Sequence, residues 1–495
     1  MIGKNLPALL PLIFLVAALV VPLVGLYKRR SAYYLALFAS FAATALSIYG
    51  FLHVLRHGTL TYHFGGWLPP VGIEYVYDPL AAFISLVINA VACLVLMHSS
   101  FMVQNELAGR ERAYYSVAML LLAGFNGIVI TGDLFNLFVF IEISSLAMYG
   151  LIAVGGGKAP FAALRYLIIG TIGASLYLLG VGFIYFSSGT LNMADFAAMV
   201  PQLSSSPSIQ VALIMMVVGI GIKMAIFPMH GWLPDAYTTA PSTSSALIAP
   251  IGTKVSAYVM IRILLFMFGA DFFSRQLVVG EVLAVLSCGG ILFGSILAIA
   301  QKDLKRMLAY SSVAQIGYIG LGIGLANPLG FIGAVLHVLN HAFMKACLFI
   351  VAGNLIAKTG RSDITLFDHT YRKRFPWTMA AFTVAALSMV GLPPLAGFFS
   401  KWYLALGTIH SSKWLFLAVI LTSSLLNAVY FFRILEKVYM RNPAASQDNE
   451  AAVVRDEVRP SMLIPTLTLA VGLILFGILN VLIVSQIHNM IPDAI

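Results

Sequence analysis

The sequence predicts an all-α polytopic membrane protein of 14 transmembrane helices, built as two inverted five-helix repeats that each contain an interrupted helix. Three observations carry this reading. Of 495 residues, 60% are apolar and only 10% charged, and mean hydropathy is +0.94; a soluble domain has roughly 25% charged and about 45–50% apolar residues. Fourteen apolar stretches long enough to span a bilayer can be marked along the chain, and the basic residues between them fall mostly on one side. The same composition excludes a soluble enzyme and a disordered chain. Cys93, Cys288 and Cys347, the only cysteines, each sit in an apolar run. They cannot build a disulfide framework, a metal cage or an Fe–S site.

The stretches run Leu6–Tyr27, Ala32–Leu55, Leu80–Met102, Ala113–Thr131, Leu134–Val154, Phe161–Phe186, Ile209–Phe227, Thr243–Phe268, Leu277–Ala300, Leu308–Leu325, Leu329–Ala357, Trp377–Ile409, Trp414–Tyr439 and Leu463–Ile487. Each reads as a helix, because in lipid every backbone polar group must be satisfied within its own segment. The first is too long for a cleaved signal peptide, and its basic cluster follows the apolar run. Between the stretches, the longest polar pieces are 56–79, 187–208, 358–376 and 440–462, all too short for a soluble domain.

Loop charges set orientation. Of 29 Lys and Arg, eighteen fall in one set of loops: Lys28, Arg29, Arg30, Arg110, Arg112, Lys158, Lys302, Lys305, Arg306, Lys358, Arg361, Arg372, Lys373, Arg374, Lys437, Arg441, Arg455 and Arg459. Only four (Lys4, Arg56, Arg275, Lys413) lie in the alternate set. This split places both termini outside the cytoplasm of a prokaryotic cell. It also accounts for the pI near 9.4 without any nucleic-acid partner.

The remaining seven basic residues lie within stretches, where a charge costs about 2.5–3.5 kcal/mol on insertion scales. Arg165 and Arg433 stand near span ends and read as snorkelling side chains; Arg262 is deeper, with packing and function both open. Glu142 stands eight residues beyond Leu134, at roughly 12 Å depth by helical rise. It must be protonated, paired or hydrated. Lys223 precedes Pro228 and Pro234, and a broken helix beside a buried lysine is a frequent ion-site arrangement in transporters. Lys254 is also near mid-membrane. His337, His341 and Lys345 recur every four residues on one helix face. They read as a polar, water-lined stripe, with a packed core pair or a metal pair as alternatives. Lys401 follows Gly391, Pro393, Pro394 and Gly397, a second interrupted segment that mirrors the first. The repeats are then residues 113–268 and 277–439, with N-terminal helices in 1–112 and a last helix in 463–487.

At these residues the chain resembles the antiporter-like family shared by Mrp sodium/proton antiporters, respiratory complex I and membrane-bound hydrogenases. The resemblance covers nearly the whole chain. It is strongest in KMAIFPMHGWLPDAYTTAPSTSSALIAPIGTKVSAYVMIR at 223–262, supported by GDLFNLFVFIEISSLAMYGL around Glu142, KDLKRMLAYSSVAQIGY at 302–318, HVLNHAFMKACLF at 337–349 and GLPPLAGFFSKWYL at 391–404. GGWLPPVGIEYVYDPLAAF at 65–83 is similar to the D-type Mrp subunit, and Lys401 stands where one complex I subunit characteristically has glutamate. Gly231 and Tyr237 depart from the threonine and histidine of many relatives.

The resemblance implies a proton-translocating subunit of a multi-subunit Na+/H+ antiporter in the cell membrane, a transporter component more than an enzyme. Proton transfer would use Glu142, Lys223, Lys254 and Lys401, with His230, His337, His341 and Lys345 as relay. The expected partners are other membrane subunits, H+, Na+ and the bilayer, with no cofactor and no metal. A membrane subunit of a redox-driven complex, such as an NADH:quinone oxidoreductase or a membrane-bound hydrogenase, is the first alternative. An intramembrane metalloenzyme using His337 and His341 is the second.

Overall fold

Residues 2–440 and 454–492 are described in the computed structural model of the chain. Arg441 and most of the loop expected at 440–462 lie outside them. Among the described residues, nineteen α-helices and one small hairpin make up most of the fold. The first helices are α1 (Ile2–Tyr27) and α2 (Arg29–His57), then β1 (Leu60–His63) and β2 (Glu74–Tyr77), then α3 (Pro79–Glu106), α4 (Glu111–Ile130), α5 (Leu134–Ala153) and α6 (Ala159–Ser188). Next come α7 (Met193–Leu203), α8 (Pro207–Met224), α9 (Leu233–Thr239) and α10 (Ser242–Ile261), the last prolonged by a π-helical segment Arg262–Phe268. The second half holds α11 (Val279–Ala300), α12 (Leu304–Gly324), α13 (Pro328–Thr359), α14 (Thr370–Arg374), α15 (Pro376–Val390), α16 (Ala396–His410), α17 (Trp414–Tyr439), α18 (Pro460–Ile478) and α19 (Asn480–His488).

Twelve of the described helices are long and apolar enough to cross a membrane. Two further crossings complete the expected fourteen. One is α12, whose 21 residues span a bilayer in length but carry Ser311, Ser312 and Gln315, all buried against protein. The other is the pair α15 and α16, 15 residues each, joined through a break. Helix starts follow side-chain chemistry: Asp78, Asp133, Asp303 and Asn327 each accept a backbone N–H at the head of α3, α5, α12 and α13.

Both interrupted spans are present. Helix α8 ends at Met224, with Ala225 in the left-handed region at φ 62°, and the chain resumes as α9 after Pro228. Helix α15 ends before Gly391, φ 93°, and the chain resumes as α16. Each break frees carbonyls, and each finds a donor. Trp232 Nε1 donates to the Ile222 carbonyl at 2.9 Å, and Lys401 Nζ donates to Met389 and Val390 at 2.9 and 3.0 Å. The two broken spans are an odd number of crossings apart, so they run in opposite directions.

Three local differences from the sequence reading have simple causes. The loop expected at 187–208 contains α7, an amphipathic segment too short to span and capped by Asn192. The loop at 56–79 folds back as the hairpin, pairing Leu60 with Tyr77 and His63 with Glu74. The last stretch divides at Leu479 into α18 and α19. Helix α13 lies at the centre of the molecule, its membrane window wholly buried, and packs against α3, α10, α12, α15, α16 and α18. At 32 residues it is about 48 Å long, longer than the hydrocarbon core.

Candidate functional site

The first polar centre forms where α5, α6 and α8 meet. Lys223 lies in the last turn of α8, just before the break, and its side chain is only 4% exposed. Its Nζ stands 3.9 Å from Glu142 Oε1 on α5 and donates to Ser145 Oγ at 2.7 Å and to the Tyr149 hydroxyl at 3.4 Å. Glu142, Ser145 and Tyr149 recur at helical spacing on one stripe of α5. The Glu142 side chain remains 30% exposed. Gly170 of α6 makes the geometry possible: a Cβ there would stand 2.3 Å from the Tyr149 hydroxyl and 3.3 Å from Lys223 Nζ.

The second centre lies on α10, α12 and α13. A cavity of about 20 Å³ separates Lys223 from Gly252, Val255 and Ser256 of α10, enough for one water. Lys254, one residue round that helix, is buried and donates to the Ala249 carbonyl at 2.6 Å. It lies within electrostatic reach of His337, His341 and Lys345. The two histidine rings stack at 5.7 Å. Lys345 donates to the Leu308 carbonyl at 2.6 Å and to Ser311 Oγ at 2.5 Å. Both ring nitrogens of His341, Nε2 of His337 and the whole amide of Gln315 are buried with no hydrogen-bond partner among the described residues. Buried polar groups of this kind are ordinarily satisfied by water.

The third centre is the break between α15 and α16. His337 Nδ1 is 2.9 Å from Ser400 Oγ, the residue before Lys401. Tyr318 of α12 stands between these groups, its ring 5.5 Å from His337 and beneath Lys401 Nζ at 5.0 Å. Lys401 is held by two carbonyls and by Ser424 at 3.4 Å, with no carboxylate among the ion pairs of the described residues. The two halves are therefore chemically unequal: the first lysine faces an acid, the second faces a helix end.

His230 stands apart from this line. Its ring stacks on Phe227 at 5.6 Å and meets Phe293 at 5.3 Å, and Nδ1 has no partner among the described residues. Arg165 pairs with Asp235 at 2.9 Å, and Arg306 reaches the same carboxylate at 3.4 Å. Arg433 caps α11 through the Ile299 and Gln301 carbonyls at 2.7 and 2.8 Å. Arg262 is tied to Asp78 and to the Tyr258 hydroxyl, which assigns it to packing between α3 and α10. Among the described residues no group of three or more His, Cys, Asp or Glu could hold a metal.

Sequence reasoning passes over several participants. Ser145 and Tyr149 are ordinary span residues until Lys223 is seen to bind them. Gln315 and Tyr318 continue the polar spacing of Ser311 along α12, a signal present in SSVAQIGY but masked by the stronger lysines. Lys305, a loop charge by sequence, is buried at the first turn of α12 and donates to the Ala240 carbonyl at 2.5 Å.

Comparison with known proteins agrees with this architecture. Residues 131–427 match the family described as NADH:quinone oxidoreductase/Mrp antiporter, TM. The chain is 48% identical to the N-type subunit of the NADH-quinone oxidoreductase of Desulforudis audaxviator, over 86% of each chain. It is 33% identical to the D-type subunit of the Na(+)/H(+) antiporter of Alkalihalophilus pseudofirmus, over 88% of this chain and 87% of that one. A chain of the membrane-bound sulfane sulfur reductase, an archaeal respiratory membrane complex, superposes with a TM-score of 0.91 at 29% identity, covering 99% of this chain and 98% of the other. A chain of the Mrp complex from a Dietzia species shares the fold, with a TM-score of 0.88 at 24% identity, covering 100% of this chain and 98% of the other. The molecule is thus a multi-span membrane protein, and the chain belongs to the NADH:quinone oxidoreductase/Mrp antiporter transmembrane family.

Proposed function

We propose that this chain is the proton-translocating subunit of a multi-subunit monovalent cation/H+ antiporter, working with other membrane subunits. The carrying observation is the succession of titratable side chains, from half-buried Glu142 to buried Lys223, Lys254, His341, His337 and Lys401, with unsatisfied polar atoms between them. Relatives described as D-type Na(+)/H(+) antiporter subunits, at 33% and 32% identity, support the reading.

In this mechanism the Glu142 carboxylate holds protonated Lys223. Protonation or withdrawal of Glu142 removes that partner, and the lysine proton passes by water to Lys254, across the His341/His337 face, and on to Lys401. Lys345 and Tyr318 border the route. His230 serves the approach to the first break and not the central line. Residues 113–268 and 277–439 act as the two repeats, and the basic face is cytoplasmic, with both termini outside. Transport of H+ against Na+ or K+ by everted vesicles from an antiporter-deficient host tests the function. Vesicles that carry the assembled complex and show no cation-dependent change in ΔpH refute it.

The relative at 48% identity favours a second reading, the proton-pumping subunit of a redox-driven complex. Purification of the native complex decides between them. Fe–S or flavin subunits and quinone-linked proton pumping establish the redox reading, and a cation-driven complex of small membrane subunits establishes the antiporter.

A further inference from the structure

Opposite the hairpin, on the basic face, α2, α3 and α18 border an open surface cavity of about 150 Å³. Its wall carries Arg30, Ser100, Gln104, Arg459 and Ser461, with Tyr34 beside them. Among the described residues, none of these side chains has a hydrogen-bond acceptor or an ion-pair partner in the protein. The Arg459 guanidinium instead lies 4.3 Å over the ring of Phe101, which also lines the cavity. Arg30, Gln104, Arg459 and Ser461 are exposed and Ser100 is half-buried, so the pocket is a set of solvent-facing donors with no protein acceptor, and two of them carry full charge.

The backbone adds to the same sign. Helices α2 and α18 both begin here, and neither has an acidic residue in its first turn. Helix N-termini present free N–H groups and partial positive charge, so arginines at these ends are unfavourable until an anion joins them. An adjoining chamber of about 180 Å³, which shares Arg30, Ser100 and Gln104, contributes one carboxylate, Glu111. One carboxylate does not balance two guanidiniums and two helix ends.

The surface leading away from the cavity is apolar. Tyr34, Phe38 and Phe41 are exposed on α2, and with Arg30 they fall at i, i+4, i+8 and i+11, one continuous stripe of the helix. A charged mouth above an aromatic and apolar track fits a molecule with an anionic head and acyl tails. Phosphate oxygens suit the guanidinium fork and the hydroxyl and amide donors. Basic pockets between transmembrane helices on the cytoplasmic side are general sites for such headgroups.

We propose that this cavity binds the phosphate of an anionic phospholipid, its tails lying along the α2 stripe, and that the bound lipid ties α2 to α18. The test uses the full chain purified with its membrane partners, delipidated and titrated with phosphatidylglycerol, with binding read by native mass spectrometry and thermal unfolding. Replacing Arg30→Gln and Arg459→Gln together is expected to weaken phosphatidylglycerol binding about five-fold per arginine, while Arg30→Lys with Arg459→Lys retains most of it. Stabilisation by phosphatidylglycerol but not by millimolar inorganic phosphate identifies a lipid headgroup; stabilisation by both overturns the lipid assignment and identifies a phosphate site open to solution. Equal phosphatidylglycerol binding by wild type and the double Gln variant overturns the proposal. Loss of a partner subunit from that variant with lipid binding intact also overturns it, and assigns the arginines to an acidic protein segment.

Discussion

Glu142→Gln isolates the charge of the first centre, because it keeps the shape of the side chain and removes only its ionisation. Lys223 Nζ and Glu142 Oε1 are 3.9 Å apart. At an effective dielectric of about 20, two unit charges at that distance attract by about 4 kcal/mol. A transport step that depends on making and breaking this attraction slows by up to about a thousand-fold when it is lost, since 1.4 kcal/mol is about ten-fold in rate. Using only a quarter of it still gives about five-fold. Glu142→Asp withdraws the carboxylate by one methylene and keeps about 3 kcal/mol of attraction on the same arithmetic, so it should fall between wild type and Gln. The assay is cation-driven ΔpH in everted vesicles, normalised to assembled complex on native gels. An ordering of wild type above Asp above Gln, at equal assembly, is the expected result. Gln activity within two-fold of wild type would falsify the paired-charge mechanism, because the remaining contacts of Lys223, with Ser145 and Tyr149, are untouched by the substitution.

The other expectations follow from separate contacts. Gly170→Ala should impair transport as strongly as a direct change at the first centre, since its Cβ displaces the Tyr149 hydroxyl and crowds Lys223; wild-type turnover in that variant would show that the cradle is not needed. Asp78→Asn leaves the Arg262 guanidinium, 14% exposed and still bonded to the Tyr258 hydroxyl, without its carboxylate and should cost about 3 kcal/mol, read as a lower unfolding midpoint in detergent. Adding Arg262→Gln should recover part of that loss. On the basic face, the hydrogen bond from Lys358, aided by Arg374, holds the Asp456 carboxyl below its ordinary range. A depressed carboxylate contributes stability above its unfolded value, about 3.9, and loses it as pH falls through the folded value. Hydrogen-exchange protection at residues 454–459, taken as the ratio of intrinsic to observed rate at each pH, should therefore be highest near neutral pH and fall only on acidification below about 4. Lys358→Gln should remove most of that pH dependence, leaving the part due to Arg374.

What can be read from the sequence, and what cannot, divides along physical lines. Spans are legible because lipid enforces length and hydropathy one segment at a time, so fourteen crossings emerge even though α12 is diluted by Ser311, Ser312 and Gln315. The breaks are legible as Pro228, Pro393 and Gly391, because backbone chemistry is local. Depth is legible too, which is why Glu142 and Lys223 stand out. Pairing is not. Nothing in the types alone says that Lys223 also reaches Ser145 and Tyr149, that Gly170 leaves them room, or that Arg262 belongs to Asp78 across 184 positions. Short amphipathic pieces such as α7 escape notice because a spanning criterion is blind to helices that do not span. Lys305 misleads for a related reason: a residue at the edge of a span looks like a loop charge until the neighbouring helix ends are seen to cover it.

The two lysines at the breaks also differ in what can release them. Lys223 faces a carboxylate, which can be neutralised, and hydroxyls, which can rotate. Lys401 is held chiefly by the Met389 and Val390 carbonyls, which can do neither, with the Ser424 hydroxyl farther off at 3.4 Å. Protonation can switch the first partner off, but the second partner weakens only if the end of α15 moves. On the proposed mechanism, then, the chain takes its chemical trigger at Glu142 and converts it at the other break into a displacement. Gly391, held at φ 93° with its ideal Cβ position 3.2 Å from Lys401 Cδ, is where that displacement must be accommodated. Gly391→Ala costs about 1–2 kcal/mol through its left-handed backbone and stiffens that point. It should slow turnover while leaving the Glu142–Lys223 pair in place. A variant that folds, keeps the pair and transports at the wild-type rate would mean that α15 does not move, and that Lys401 is emptied by some group other than its helix end.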